Sequence, residues 1–155
     1  MTTRRKKARS GRYLPQERAL MGIEFGTAAA ALAGGVLLAL RPDGAFLHAG
    51  PAVLRRTPFS TWRIPGLLLA AGCGGGYAVA GVLHARRSRA ARFVSVAAGS
   101  ALVGLEAWEI AVIEYQLLEL VFAGVGAAVV VLALRLPAAA SSRRLPLEVF
   151  AARRR

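Results

Sequence analysis

The chain has 155 residues, 55% of them hydrophobic, and a formal net charge of +13. Its apolar residues are gathered into blocks of about twenty, the length that crosses a ~30 Å hydrocarbon core, which excludes an ordinary soluble domain and indicates a polytopic membrane protein. Nearly all Lys and Arg lie outside those blocks, where they mark topology; no basic helix is interleaved with stacking aromatics, so the charge does not indicate nucleic-acid binding.

Residues 1–18 carry Arg4, Arg5, Lys6, Lys7, Arg9, Arg12 and Arg18 against a single acid, Glu17. They read as a solvated cytoplasmic arm lying against anionic headgroups. The Arg4-Arg5 pair is followed by Lys6-Lys7 where a twin-arginine signal places apolar residues, so no cleaved signal is expected. The first span covers 19–40 and stops at the turn signature Arg41-Pro42-Asp43-Gly44. Gly22 and Gly26, four apart, share a helix face on which a second backbone can approach closely, and Glu24 projects from the opposite side.

The first loop, 41–63, holds Pro42, Pro51 and Pro58, the aromatics Phe46, Phe59 and Trp62, and Arg41, Arg55, Arg56 and Arg63. Amphipathic aromatics and long basic side chains prefer headgroups, so the loop is expected to lie along the membrane surface, with Pro51 to Arg56 as one short interfacial helical turn. His48 has no second His or Cys beside it, and no metal site is expected. In the second span, 64–84, the run Gly72-Cys73-Gly74-Gly75-Gly76 would argue for a loop in water. In a bilayer unsatisfied backbone is so costly that helix is retained, and Gly72 and Gly76 become a close helix crossing. Cys73 can form no internal disulfide and reads as a small packing residue.

Arg86, Arg87, Arg89 and Arg92 fill a short link over 85–92, and His84 at its edge is expected to snorkel toward headgroups. From Phe93 to Arg135 there is no proline, and a single helix of that length would overshoot the bilayer about twofold. Two spans are therefore predicted, 93–113 and 117–134, joined through Glu114-Tyr115-Gln116. Residues 137–155 form a basic tail in which 145–150 rest on the interface. With both ends inside, 17 Lys and Arg are cytoplasmic and 4 lie in the first loop. That asymmetry predicts an all-α bundle of four transmembrane helices over 19–136, in a bacterial cytoplasmic membrane, with both termini cytoplasmic.

Glu106 and Glu109 are three apart and share a helix face, roughly two-thirds of the way across the bilayer. A charged carboxylate at that depth costs about 2.5–3.5 kcal/mol, so each is expected to be protonated, paired or facing a wet cavity. Trp108 with Ala97, Ala101, Gly104 and Ala111 forms a different stripe, suited to packing against another helix. Three roles compete for the acids. Glu106, Glu109, Glu114 and Glu119 could pair with Arg55, Arg56 or Arg63 folded down from the loop. Glu24 and the Glu106/Glu109 pair could be two stations for protons or a cation. The acidic face could instead dock a basic residue of a partner membrane subunit.

An enzyme is not expected. There is no His-Glu-x-x-His motif, no paired aspartates, and no serine with a histidine base evident in the same leaflet; Ser95 and Ser100 read as helix hydroxyls bonded to their own backbone. No cofactor is expected either, since haem would want histidines at matching depth inside the helices. At Phe59-Ser60-Thr61-Trp62-Arg63-Ile64-Pro65-Gly66, in the glycine-rich second span and over Trp108 to Gln116, the chain resembles a loose group of small four-span membrane proteins from Ala- and Arg-rich actinobacterial genomes. That resemblance implies the topology and brings no catalytic residues. The expectation is a non-enzymatic accessory or structural subunit, as a homo-oligomer or with a partner subunit; the alternative is a small proton- or cation-coupled transporter.

Overall fold

A computed structural model describes residues 13–47, 51–112 and 117–136. Four long helices form the bundle: α1 (Pro15–Leu40), α2 (Arg63–Ala85), α3 (Ala91–Val112) and α4 (Leu117–Arg135). Each is long and apolar enough to cross a membrane. The protein is thus an all-α four-helix bundle with multi-pass character, and its outward apolar side chains, such as Leu32, Leu67, Phe93 and Val121, suit contact with lipid tails. The basic tail and residues 1–12 of the arm lie outside the described residues, as do His48 and the bend residues Glu114, Tyr115 and Gln116.

α1 begins at Pro15, four residues before the apolar block. Proline at the first helical position loses no hydrogen bond, and the Glu17 carboxylate accepts the Leu14 N–H at 2.9 Å, so local chemistry starts the helix before hydrophobicity does. Tyr13 is tied down rather than solvated. Its hydroxyl donates to the Ala85 carbonyl at 2.8 Å, and the Arg87 guanidinium sits 4.7 Å from the centre of its ring. Between α2 and α3 the chain closes a Schellman-type turn: Ser88 N–H donates to Leu83 O and Arg87 N–H to His84 O, both at 2.9 Å. Arg87 takes the left-handed position of that turn, φ 52°, where glycine is usual.

α1 packs along α2 and α3 along α4, antiparallel in both pairs, and α2 against α3 joins the two hairpins. Without a hydrophobic force between helices in lipid, close approach depends on small residues. A Cβ on Gly35 would lie 2.6 Å from Ala70 N, and one on Gly99 2.7 Å from Gly126 O. These two crossings, Gly35 against Gly66 and Ala70, and Gly99 against Gly126, hold the hairpins together. The sequence placed close approach elsewhere: a Cβ on Gly22, Gly26, Gly72 or Gly76 would meet nothing within 4 Å, nor would one on Gly104, and Ala97, Ala101 and Ala111 are exposed. No neighbouring helix closes on these glycines.

The glycine-rich run is helical, as expected, but Leu69–Gly74 is a π-helix. In a regular α-helix Gly66 and Gly74 would be offset by about 80°. The wider π turn removes much of that offset and keeps Gly66, Ala70 and Gly74 all against α1.

The described part of the first loop packs against the end of the bundle. Its Pro51–Arg56 segment is a single 3₁₀ helix, Leu54 is buried, and Thr57 Oγ1 donates to Leu54 O at 2.9 Å. Trp62 N–H donates to Pro42 O at 3.0 Å, closing the loop at its base.

Candidate functional site

Among the described residues, two groups of ionisable side chains lie inside the bundle, one near the α2–α3 turn and one under the first loop. The first is built by three helices. Glu24 of α1 is fully buried, and its Oε1 accepts a hydrogen bond from Ser95 Oγ of α3 at 2.5 Å. His84, next to the last residue of α2, places Nε2 2.9 Å from the same Ser95 Oγ and 3.8 Å from Glu24 Oε1. Ser95 Oγ also lies 3.0 Å from Ala91 O. A hydroxyl has one proton to give. When that proton is donated to Glu24, Nε2–H of His84 donates to Ser95, and the order is His84, Ser95, Glu24.

This arrangement corrects two expectations. His84 does not snorkel outward, since its side chain is only 10% exposed. A serine and a histidine do share one end of the bundle, because they flank the α2–α3 turn on antiparallel helices. Ser95 keeps its expected backbone bond but is also the bridge of the cluster. It is not placed as a nucleophile. It is fully buried, and it sits between the histidine and the carboxylate, whereas an acyl-transfer triad puts the histidine in the middle. Glu24 Oε2 and the hydroxyl of the fully buried Tyr77 have no hydrogen-bond partner. Side chains on a helix lean toward its N-terminus, which carries Tyr77 from the level of Glu24 toward the second group.

That second group is an acidic chamber of about 330 Å³, lined by Glu106 and Glu109 from α3, Glu119 from α4, Thr27 and Ala31 from α1, Cys73 from α2, and Val53 and Trp62 from the loop. Glu106 and Glu119 are 5% and 6% exposed. A second cavity of about 410 Å³ runs between α2 and α3 and is lined by Tyr77, Gly76, Cys73, Trp108 and Glu109 among others. Glu109, Cys73 and Trp62 border both, and the π-helical wall of α2 contributes Leu69 and Cys73 to each. Among the described residues no three His, Cys, Asp or Glu side chains converge as metal ligands.

The expected pairing of Glu106 and Glu109 with loop arginines is not formed. Arg55, Arg56 and Arg63 are exposed, and no ion pair within 4.0 Å joins any of them to Glu106 or Glu109. The loop arginine that is engaged is Arg41, 3.9 Å from Asp43 and 5.2 Å over the Phe46 ring. Glu119 belongs to the chamber rather than to an outer bend, while Glu114 lies outside the described residues. No protein family, curated protein or solved structure matches this chain.

Proposed function

We propose that this chain is a small, non-enzymatic, proton-carrying membrane protein, with Glu106, Glu109 and Glu119 as one station and Glu24 as the other. What supports this reading is the direction in which the carboxylates face. Glu106 and Glu109 both border a partly open chamber between the helices, and no ion pair with Arg55, Arg56 or Arg63 neutralises either of them. A structural role would favour paired acids, because an unpaired carboxylate in the bilayer is costly and is retained where it serves a pathway.

Purified protein in liposomes under an imposed potential, with an internal pH dye, tests this. Wild-type protein is expected to carry protons, and the double variant Glu106→Gln, Glu109→Gln to fall to the background of empty liposomes while eluting as the same species. A wild-type protein without flux, or a double variant with wild-type flux, refutes it.

The distribution of Lys and Arg supports a bacterial cytoplasmic membrane with both termini cytoplasmic, which cysteine labelling at each end from outside intact cells tests. The open Gly22/Gly26 face supports assembly with a second copy or a partner helix. Native mass spectrometry of a Gly22→Ile, Gly26→Ile variant is expected to show a smaller complex than the wild type; an unchanged mass removes this face from the assembly.

A further inference from the structure

We infer that the chain of hydrogen bonds from His84 through Ser95 to Glu24 is a proton-uptake wire, which loads Glu24 from the side of the bundle bearing the α2–α3 turn. The proton-carrying reading supplies its purpose, but the wire has its own chemistry and its own test. Three observations carry it. The donors and acceptors are in sequence at 2.9 and 2.5 Å, short enough for transfer without movement of the helices. The terminal acceptor is completely buried, so water does not load it directly. The entrance, His84, lies one residue from the end of α2, beside the turn that holds Arg86, Arg87 and Arg89.

The transfer balances atom by atom. His84 takes a proton on Nδ1 from a hydronium ion, which is left as water, as its Nε2 proton passes to Ser95 Oγ. The Ser95 hydroxyl proton passes at the same time to Glu24 Oε1. The imidazole is left neutral with its proton on Nδ1, the serine is restored, and Glu24 has become a neutral carboxylic acid. Tautomer exchange through water returns the proton of the ring to Nε2. Each group gains one proton and gives one, except Glu24, which stores it.

Among the described residues the surrounding charges are few. Glu17 of α1 lies within electrostatic reach of His84, and Tyr77 of α2 within reach of Glu24. From α3 the nearest cation in sequence is Arg92, and the half of α4 toward the turn contributes Arg135 alone. Glu24 Oε2, unpartnered and facing the core, and the unpartnered Tyr77 hydroxyl are the groups to which a loaded proton would next be offered.

Infrared spectroscopy of the full-length protein in liposomes after a rapid pH drop tests the wire without requiring flux. The Glu24 carboxylic acid band is assigned by its loss in Glu24→Gln. It is expected to rise on the order of tenfold or more slowly in Ser95→Ala and in His84→Gln, and at the wild-type rate in Ser95→Thr, which keeps the hydroxyl. Wild-type kinetics in both Ser95→Ala and His84→Gln, or no Glu24 band at all, overturn the inference. Slow loading in those variants with no wild-type proton flux would leave the wire standing and remove the transport reading. Flux with unslowed loading would do the reverse.

Discussion

The crossing of α3 and α4 is where a single methyl group should do most damage. A Cβ on Gly99 would stand 2.7 Å from Gly126 O, and a Cβ on Gly126 2.8 Å from Gly99 O. Ordinary contact begins near 3.4 Å, so Gly99→Ala must open the crossing by about 0.7 Å. A gap of that size forfeits a quarter to a half of the dispersion energy of the atoms it separates, and in lipid no hydrophobic term compensates. The expected loss is about 1–3 kcal/mol, the usual range for overpacking. Gly104→Ala, one helix turn and more along α3, is the control. Nothing lies within 4 Å of its added methyl, and alanine is the better helix former by up to about 1 kcal/mol. Reversible unfolding in mixed micelles, followed by the fluorescence of Trp62 and Trp108, measures both. Opposite signs are expected, and losses of equal size in the two variants would refute the assignment of this crossing.

Two further substitutions probe buried or strained groups. Tyr77→Phe removes a buried hydroxyl without a partner and should raise stability in the same assay by about 1 kcal/mol; a loss would show that the hydroxyl is hydrogen-bonded in the membrane. Arg87→Gly relieves a left-handed residue, worth about 1–2 kcal/mol, but gives up the stacking on Tyr13, worth about 0.5–1 kcal/mol. The change Arg87→Gly should be more favourable in a Tyr13→Ala background than in the wild type, by about the value of the stacking; an equal or less favourable effect there would refute the link between the two residues.

The four spans were legible because hydrophobic block length is a strong, local signal, and the bilayer forbids most alternatives to helix. Glu24, Glu106 and Glu109 were legible as intramembrane acids for the same reason. What faces them was not. Whether Gly22 or Gly35 forms the crossing depends on the rotation of α1, and both sit in small-residue stretches that look alike in one dimension. The link between His84 and Ser95 had a faint signal: two residues eleven apart that flank a short turn must lie near one another when the helices are antiparallel. Reading it required treating His84 as inward-facing, against the rule that polar side chains at span ends reach outward. The aromatic and basic composition of the loop suits a headgroup layer, and composition alone does not show that Leu54 is buried or that Val53 and Trp62 reach the chamber.

The π-helix of α2 separates what the fold needs from what the chamber needs. A π turn behaves as one residue inserted into an α-helix, so deleting one residue inside Leu69–Gly74 should return a regular helix with both halves still facing their partners. Gly72 is the position to delete, being exposed with no neighbour within 4 Å of an added Cβ. Deleting Ala78 instead, in regular helix, would rotate everything on one side of it by about 100° and turn either Tyr77 or His84 away from the core. The Gly72 deletion should therefore keep native helicity and elution while the Ala78 deletion should not. Its chamber should still change, because Leu69 and Cys73 line both cavities from the wide turn, and proton flux is expected to fall even though the bundle survives. If the two deletions unfold the protein alike, the π segment is not an insertion that the packing tolerates losing. If the Gly72 deletion folds and carries protons at the wild-type rate, the wide turn plays no part in shaping the pathway.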